Sequence, residues 1–320
     1  MVVHRATGTI EHRVFAALPE YLTPRDCLVI NRTQVVPAKF AAFRQTGGRI
    51  NGLFVREEGP GDWIVLLAGA GRLKEGERLG LGVEGWSMSV LRRGERGECR
   101  VKVEPADPAS IMLDLIGEAP LPPYIRRSDQ DPTELRFHDR ARYQTVYADT
   151  PGAIAAPTAG MHFTPELLRK IQHDLGVAIA DVVLHVGLGT FQPVEVDDLS
   201  RHQMHREWFS LSPDSAVRVN RTRAGGGRCV AVGTTSVRVL ETCAAGGTLL
   251  PQSGWTDLCI YPPYVFRTTD ALVTNFHLPG STLLALVFAF AGRELILRAY
   301  ETAVRERYRF YSFGDAMLIM

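Results

Sequence analysis

The chain has 320 residues, 45% of them hydrophobic and 22% charged, which is ordinary globular composition with length for two domains. Lys plus Arg is 36 against 35 for Asp plus Glu, so the net charge is +1. Net charge therefore does not require a strongly acidic or basic partner, and any nucleic-acid ligand must use local basic patches.

In chain order, "MVVHRATGTIEHR" has no apolar core of the kind a signal peptide needs. "DCLVINRTQVVPAK" (26–39) reads as a strand. From 44 to 104 the runs "RINGLFVRE", "DWIVLLAG", "WSMSVLRR" and "ECRVKVE" are separated by glycine-rich turns, which predicts a small barrel or sandwich. After Arg142 the pattern alternates. "AIADVVLHV", "RCVAVG" and "ALVTNF" are strand-like, with helices predicted at 165–175, 236–244 and 282–307. The expected fold is α/β: a mixed, mostly parallel sheet with helices, interrupted by an inserted small β-barrel. Its expected domains are 1–43 with 123–320, and 44–122 for the insertion. The apolar run "LLALVFAFAG" (283–292) is too short to span a bilayer. The five cysteines show no CxxC spacing and read as reduced thiols of a cytoplasmic protein.

Four loops of the second half share one character, following a strand and carrying glycine, hydroxyl and histidine. They are "APTAGMHFT", "LHVGLGTFQPV", "VGTTSVR" and "TNFHLPGST". In open α/β sheets ligands gather where strands end, glycine permits close approach, and helix N-termini favour anions. The candidate substrate-binding residues are Thr158, Gly160, Thr164, His185, Gly187, Thr190, Thr234, Thr235, Arg238, Asn275 and His277, with Tyr261 from the aromatic "YPPYVFR". Thr235 or Ser236 suits an N-cap, which would put Arg238 in the first helical turn. There it either grips an anionic ligand or turns to a nearby carboxylate. "RVNRTRAGGGR" holds Arg218, Arg221, Arg223 and Arg228 without an acid, and is the candidate phosphate contact. No metal is expected, because HExxH is absent and "HQMH" lacks a completing carboxylate.

The ordered segments "RYQTVYA", "AAPTAGMHFT", "LHVGLGTFQPV", "HQMHREW", "VAVGTTSVRVLE", "GWTDLCIYPPY", "TNFHLPGSTLL" and "YRFYSFGDAML", with "EHRVFAALPEYLTPRDCLVINRTQVVPAKF" before them, resemble the S-adenosylmethionine:tRNA ribosyltransferase-isomerase family of queuosine biosynthesis. The resemblance implies an α/β domain interrupted by a barrel. It implies transfer and isomerisation of the ribosyl part of S-adenosylmethionine onto 7-aminomethyl-7-deazaguanine at the tRNA wobble position. Epoxyqueuosine tRNA would form, and adenine and methionine would leave. S-adenosylmethionine would then be a substrate, with no prosthetic group. No membrane partner is expected, and the expected state is a monomer. A sulfonium acidifies the neighbouring C5′ proton, so the chemistry needs a base, and departing adenine needs a proton donor. His162 is the candidate acid or base. Asp315, a carboxyl beside aromatics where a pKa can be raised, is the second candidate.

The family usually begins with a further segment before the position of Met1. Arg32 stands where it has an acid, Gln34 where it has an arginine, and Pro263 where it has a glycine. These departures imply reduced or redirected activity. They leave open a paralogue acting on a small deazapurine and a silent RNA-binding descendant.

Overall fold

The computed structural model describes every residue except 123, 126, 128–131, 188, 190–193, 195 and 197, and the side chain of Thr133. The chain divides into two compact units, Met1–Gln34 with Gln144–Met320, and Val35–Tyr143. The bounds 44–122 expected for the insertion fall inside the second unit.

The first unit is built on a nine-stranded sheet. Its centre is a run of four mutually parallel strands, Ala178–Leu184, Cys27–Asn31, Cys229–Val232 and Ala271–Asn275, in that spatial order. Cys27–Asn31, Cys229–Val232 and Ala271–Asn275 are buried at every position, as strands covered on both faces must be. The expectation of a mostly parallel sheet needs correction, because the sheet is mixed. Glu207–Leu211 and Gln252–Thr256 extend one side antiparallel. On the other side Ala316–Ile319 is antiparallel to Ala271–Asn275, then Val2–Val3 and Ile10–Glu11 follow. The centre has the parallel pairing of crossover connections. On one side Leu184 returns to Glu207 without an intervening α-helix among the described residues. On the other, two successive helices, Thr282–Ala291 and Arg293–Arg305, bring the chain back antiparallel as Ala316–Ile319.

Three local features differ from the sequence pattern. The helix expected at 236–244 begins earlier, at Gly233, and runs to Cys243 with Val232 as its N-cap residue. Arg238 is therefore in its second turn. The single helix expected at 282–307 is two, Thr282–Ala291 and Arg293–Arg305, because Gly292 takes φ 84°, a left-handed value that interrupts the helix. "PDSAVRVNRTRA" is a helix, Pro213–Ala224, capped by Ser212.

The second unit holds a closed six-stranded antiparallel barrel with strands between Lys39 and Glu104. Glu98–Glu104 alternates strictly, sending Cys99, Val101 and Val103 inward, which fixes its register. Trp63, Met88 and Leu79 fill the interior, and Met112 and Leu113 of the helix Ala109–Ile116 close it.

Among the described residues, no helix is long and apolar enough to cross a membrane. All five cysteines are free thiols, and only Cys259 is not fully buried.

Candidate active site

The site grows from one topological fact. Three of the four central parallel strands are followed by a loop singled out in the sequence and the fourth, Cys27–Asn31, by Arg32 and Thr33, so these segments end up side by side along one edge of the sheet. Leu184 leads to His185, Asn31 to Thr33, Val232 to Gly233, and Asn275 to His277. This is the edge at which open α/β sheets bind ligands.

The Thr158–His162 turn is a short 3-10 helix that buries Ala159 and Gly160. A methyl on Gly160 would run into the Tyr147 hydroxyl and Thr145, so only glycine permits the approach. A side-chain methyl at Gly233, which has φ 86°, would reach van der Waals contact with Ala159, so the start of this helix lies close to the turn. Thr234 is buried there, and the Thr235 hydroxyl is buried without a partner among the described residues.

Asn275, 2% exposed at the end of its strand, ties this corner together. Its Oδ1 accepts from the Thr158 hydroxyl at 3.2 Å, and its amide NH2 donates to the Tyr311 carbonyl at 3.1 Å. Those two bonds fix which way the amide points, so the NH2 also faces His162 Nε2, at 3.3 Å. Nε2 is then the acceptor and the ring proton lies on Nδ1, an assignment made from the network. Phe15 stacks on the His162 ring at 5.0 Å.

His162 and Asp315 line the same cavity, of about 450 Å³, together with Phe15, Leu18, Val273 and Arg309. Burial lowers the His162 pKa, the Asp315 charge raises it in part, and the net direction is down. The ring is neutral near neutral pH. Asp315 corrects the expectation of a raised carboxyl. Burial pushes it up, but it accepts from the Arg309 backbone N–H at 2.7 Å and guanidinium at 2.8 Å, and those bonds hold it below its usual value. It is an ionised carboxylate. Arg307, at φ 59° on the cavity wall, and Tyr311, at φ 73°, keep left-handed conformations that cost a non-glycine residue energy. The Phe276, Tyr300, Tyr308 and Phe310 rings pack behind this segment.

A second group forms further along the edge. His185 binds the Thr33 hydroxyl through Nδ1 at 2.8 Å and stacks on Trp208, and burial lowers its pKa. The Gly187 N–H donates to Glu207 at 2.8 Å. Arg238 and Glu207, 5% and 4% exposed, form a buried ion pair, and Arg238 also donates to the Leu258 carbonyl at 3.0 Å. Of the two readings open for Arg238, the nearby carboxylate is the one seen.

The remaining candidates are spread out. Thr164 is an exposed N-cap that accepts from Leu167 N–H. His277 binds the Thr274 hydroxyl at 2.8 Å, and burial lowers its pKa to about 4. Tyr261 is half-buried in the loop after Thr256. Thr190 lies outside the described residues. The arginine run sits at the opposite end of the sheet. Arg228 immediately precedes Cys229 and pairs with Asp26 at 2.7 Å, just before Cys27. Arg223 pairs with Asp270, just before Ala271, at 3.5 Å. Arg218 and Arg221 are exposed on the helix Pro213–Ala224. The structure does not bring these four to the loops around His162.

Sequence reasoning passed over Glu207, Phe15 and Arg309. Glu207 stands in the quoted "HREW", but its partner lies 31 residues away and no local spacing reveals it. The departure at Arg32 has a local match: its guanidinium lies 3.3 Å from Asp149 and 3.4 Å from Asp181. Nothing in the structure explains Gln34. Among the described residues, no group of three His, Cys, Asp or Glu side chains could hold a metal ion.

A family model described as "Queuosine biosynthesis protein" matches residues 1–319. The chain is 50% identical to a protein of Symbiobacterium thermophilum and 48% identical to one of Moorella thermoacetica, over its whole length and 92% of theirs; both are named S-adenosylmethionine:tRNA ribosyltransferase-isomerase. A crystal structure of S-adenosylmethionine tRNA ribosyltransferase from Thermotoga maritima is similar with a TM-score of 0.54 and 39% identity, covering 100% of this chain and 91% of that one. A full-length family match, close relatives of one name and a fold shared with a solved member agree, and the chain belongs to the queuosine biosynthesis protein family.

Proposed function

We propose that the chain is an S-adenosylmethionine:tRNA ribosyltransferase-isomerase, moving the ribosyl part of S-adenosylmethionine onto 7-aminomethyl-7-deazaguanine at the tRNA wobble position. The observation that carries the catalytic assignment is that His162 and Asp315 line one cavity. His162, neutral at rest, takes the C5′ proton next to the sulfonium on Nε2 as that nitrogen gives up its hydrogen bond from the Asn275 amide, and the same proton can pass to departing adenine. Asp315, held ionised by Arg309, stabilises the imidazolium between the two transfers. Asn275 orients the ring rather than reacting. S-adenosylmethionine is held by the unit Met1–Gln34 with Gln144–Met320, since the strand-end loops all belong to it. Five free thiols suit a reducing compartment, and we place the enzyme in the cytoplasm as a monomer.

The test is adenine release from S-adenosylmethionine with acceptor tRNA. His162→Asn should lower kcat by about 10²- to 10⁴-fold, the usual worth of a positioned acid–base group. Its S-adenosylmethionine affinity should stay within a few-fold. A variant that keeps the wild-type rate removes His162 from the mechanism. Release with a free deazapurine but not with tRNA replaces the acceptor.

A further inference from the structure

We infer that the outer edge of the large sheet carries a stacking surface for an unpaired base of the acceptor RNA, separate from the cavity. The inference rests on the reading of the acceptor as tRNA. Three neighbouring strands place an aromatic ring on one rung. Trp208 in Glu207–Leu211 and Trp255 in Gln252–Thr256 are direct register partners. The His185 N–H, just past the end of Ala178–Leu184, donates to the Trp208 carbonyl at 2.9 Å, which continues the register and puts His185 opposite Trp208 on the same rung. Directly opposed side chains share a face of the sheet. His185 and Trp208 are stacked, with centroids 5.0 Å apart and planes 20° from parallel. The row ends at Trp255, 53% exposed on the outermost strand. Glu207 points to the opposite face, where it meets Arg238 of the helix Gly233–Cys243, so that helix does not cover the tryptophans.

Trp255 presents a large flat ring half in water, with the aromatic face that binding surfaces use. The flanking charge says what. "RHQMHR" (201–206) leads into the Trp208 strand with two arginines, two histidines and no acid, and Arg201 and Arg206 are exposed. Aromatic planes beside cations are how proteins hold unpaired nucleotides: the ring takes the base and the guanidinium groups take the phosphates. The strand of Trp255 lies five strands from that of Asn275, roughly 24 Å at the usual strand spacing. One RNA loop can therefore place its target base in the cavity and rest another base on this row.

The experiment uses the full chain and the anticodon stem-loop of an acceptor tRNA, followed by tryptophan fluorescence and by adenine release. Trp255→Ala should weaken stem-loop binding by about 5- to 100-fold, the loss of one base–aromatic stack. It should raise the KM for tRNA and leave that for S-adenosylmethionine within two-fold. Trp255→Phe should recover most of the affinity while removing part of the fluorescence quenching. Unchanged stem-loop affinity in Trp255→Ala, with wild-type turnover intact, overturns this inference and leaves the enzymatic reading standing. A changed sedimentation coefficient with unchanged RNA affinity also overturns it, by making the edge a protein–protein contact. A wild-type chain that neither binds the stem-loop nor releases adenine sinks both readings together.

Discussion

Arg238 shows what one side chain can hide. Its position after "VGTTS" is compatible with an anion grip, and only its burial against Glu207 decides otherwise. The pair ties the Gly187 loop to the Thr256–Leu258 segment, because Glu207 also accepts from Gly187 N–H and Arg238 donates to Leu258. Removing one partner leaves a buried charge. Arg238→Ala should therefore lose about 3–5 kcal/mol of stability in urea denaturation. The double variant Arg238→Ala with Glu207→Ala should lose less than the sum of the singles, which a double-mutant cycle measures. Wild-type stability with weakened S-adenosylmethionine binding would instead restore the anion grip. Arg32 makes the opposite point. A reversed charge relative to the family pattern is matched here by Asp149 and Asp181, so the substitution has a structural counterpart in its own neighbourhood.

At the scale of elements, the strand-end loops were legible and their internal packing was not. The sequence reading gave glycine to ligand approach, yet at Gly160 the close neighbour is the protein's own Tyr147. Gly160→Ala should push the Thr158–His162 turn off the Asn275 amide. It should cost about 1–3 kcal/mol by overpacking and reduce adenine release well beyond the loss of folded protein. Adding Tyr147→Phe removes the hydroxyl in the way and should recover part of both. A Gly160→Ala enzyme with wild-type kcat and thermal midpoint would show that the turn has slack. The split of 282–307 into two helices at Gly292 was missed because apolar and amphipathic runs abut there, and a single left-handed glycine leaves the periodicity on either side intact.

At the scale of the whole molecule, burial sets a pH response. The pKa of His277 falls from an ordinary 6.5 to about 4. The folded state then binds fewer protons than the unfolded state between these values. The stabilising contribution is complete above about pH 6.5 and is lost as pH falls toward 4, by at most about 3 kcal/mol. His162 and His185 shift in the same direction and add to it. Asp26, Asp139 and Asp315, held low by arginines, act only at more acidic pH. The urea midpoint should thus fall between pH 7 and pH 5, and less so in His277→Gln. An equal fall in that variant would assign the acid limb to other groups.

The sequence by itself determined the alternation of strand and helix after Arg142, the barrel, and the four loops that share a sheet edge. These are local: hydrophobic period, glycine turns and strand ends are written in neighbouring residues. The tertiary structure alone decided the rest. It made the sheet mixed, since strand direction depends on how distant segments return. It joined His162 to Asp315 and Asn275 across more than a hundred residues of chain. It turned the Asp315 pKa downward through Arg309 and sent the arginine run to the far end of the sheet, beside Asp26 and Asp270. Charge partners and burial are set by three-dimensional neighbours, and no spacing along the chain encodes them.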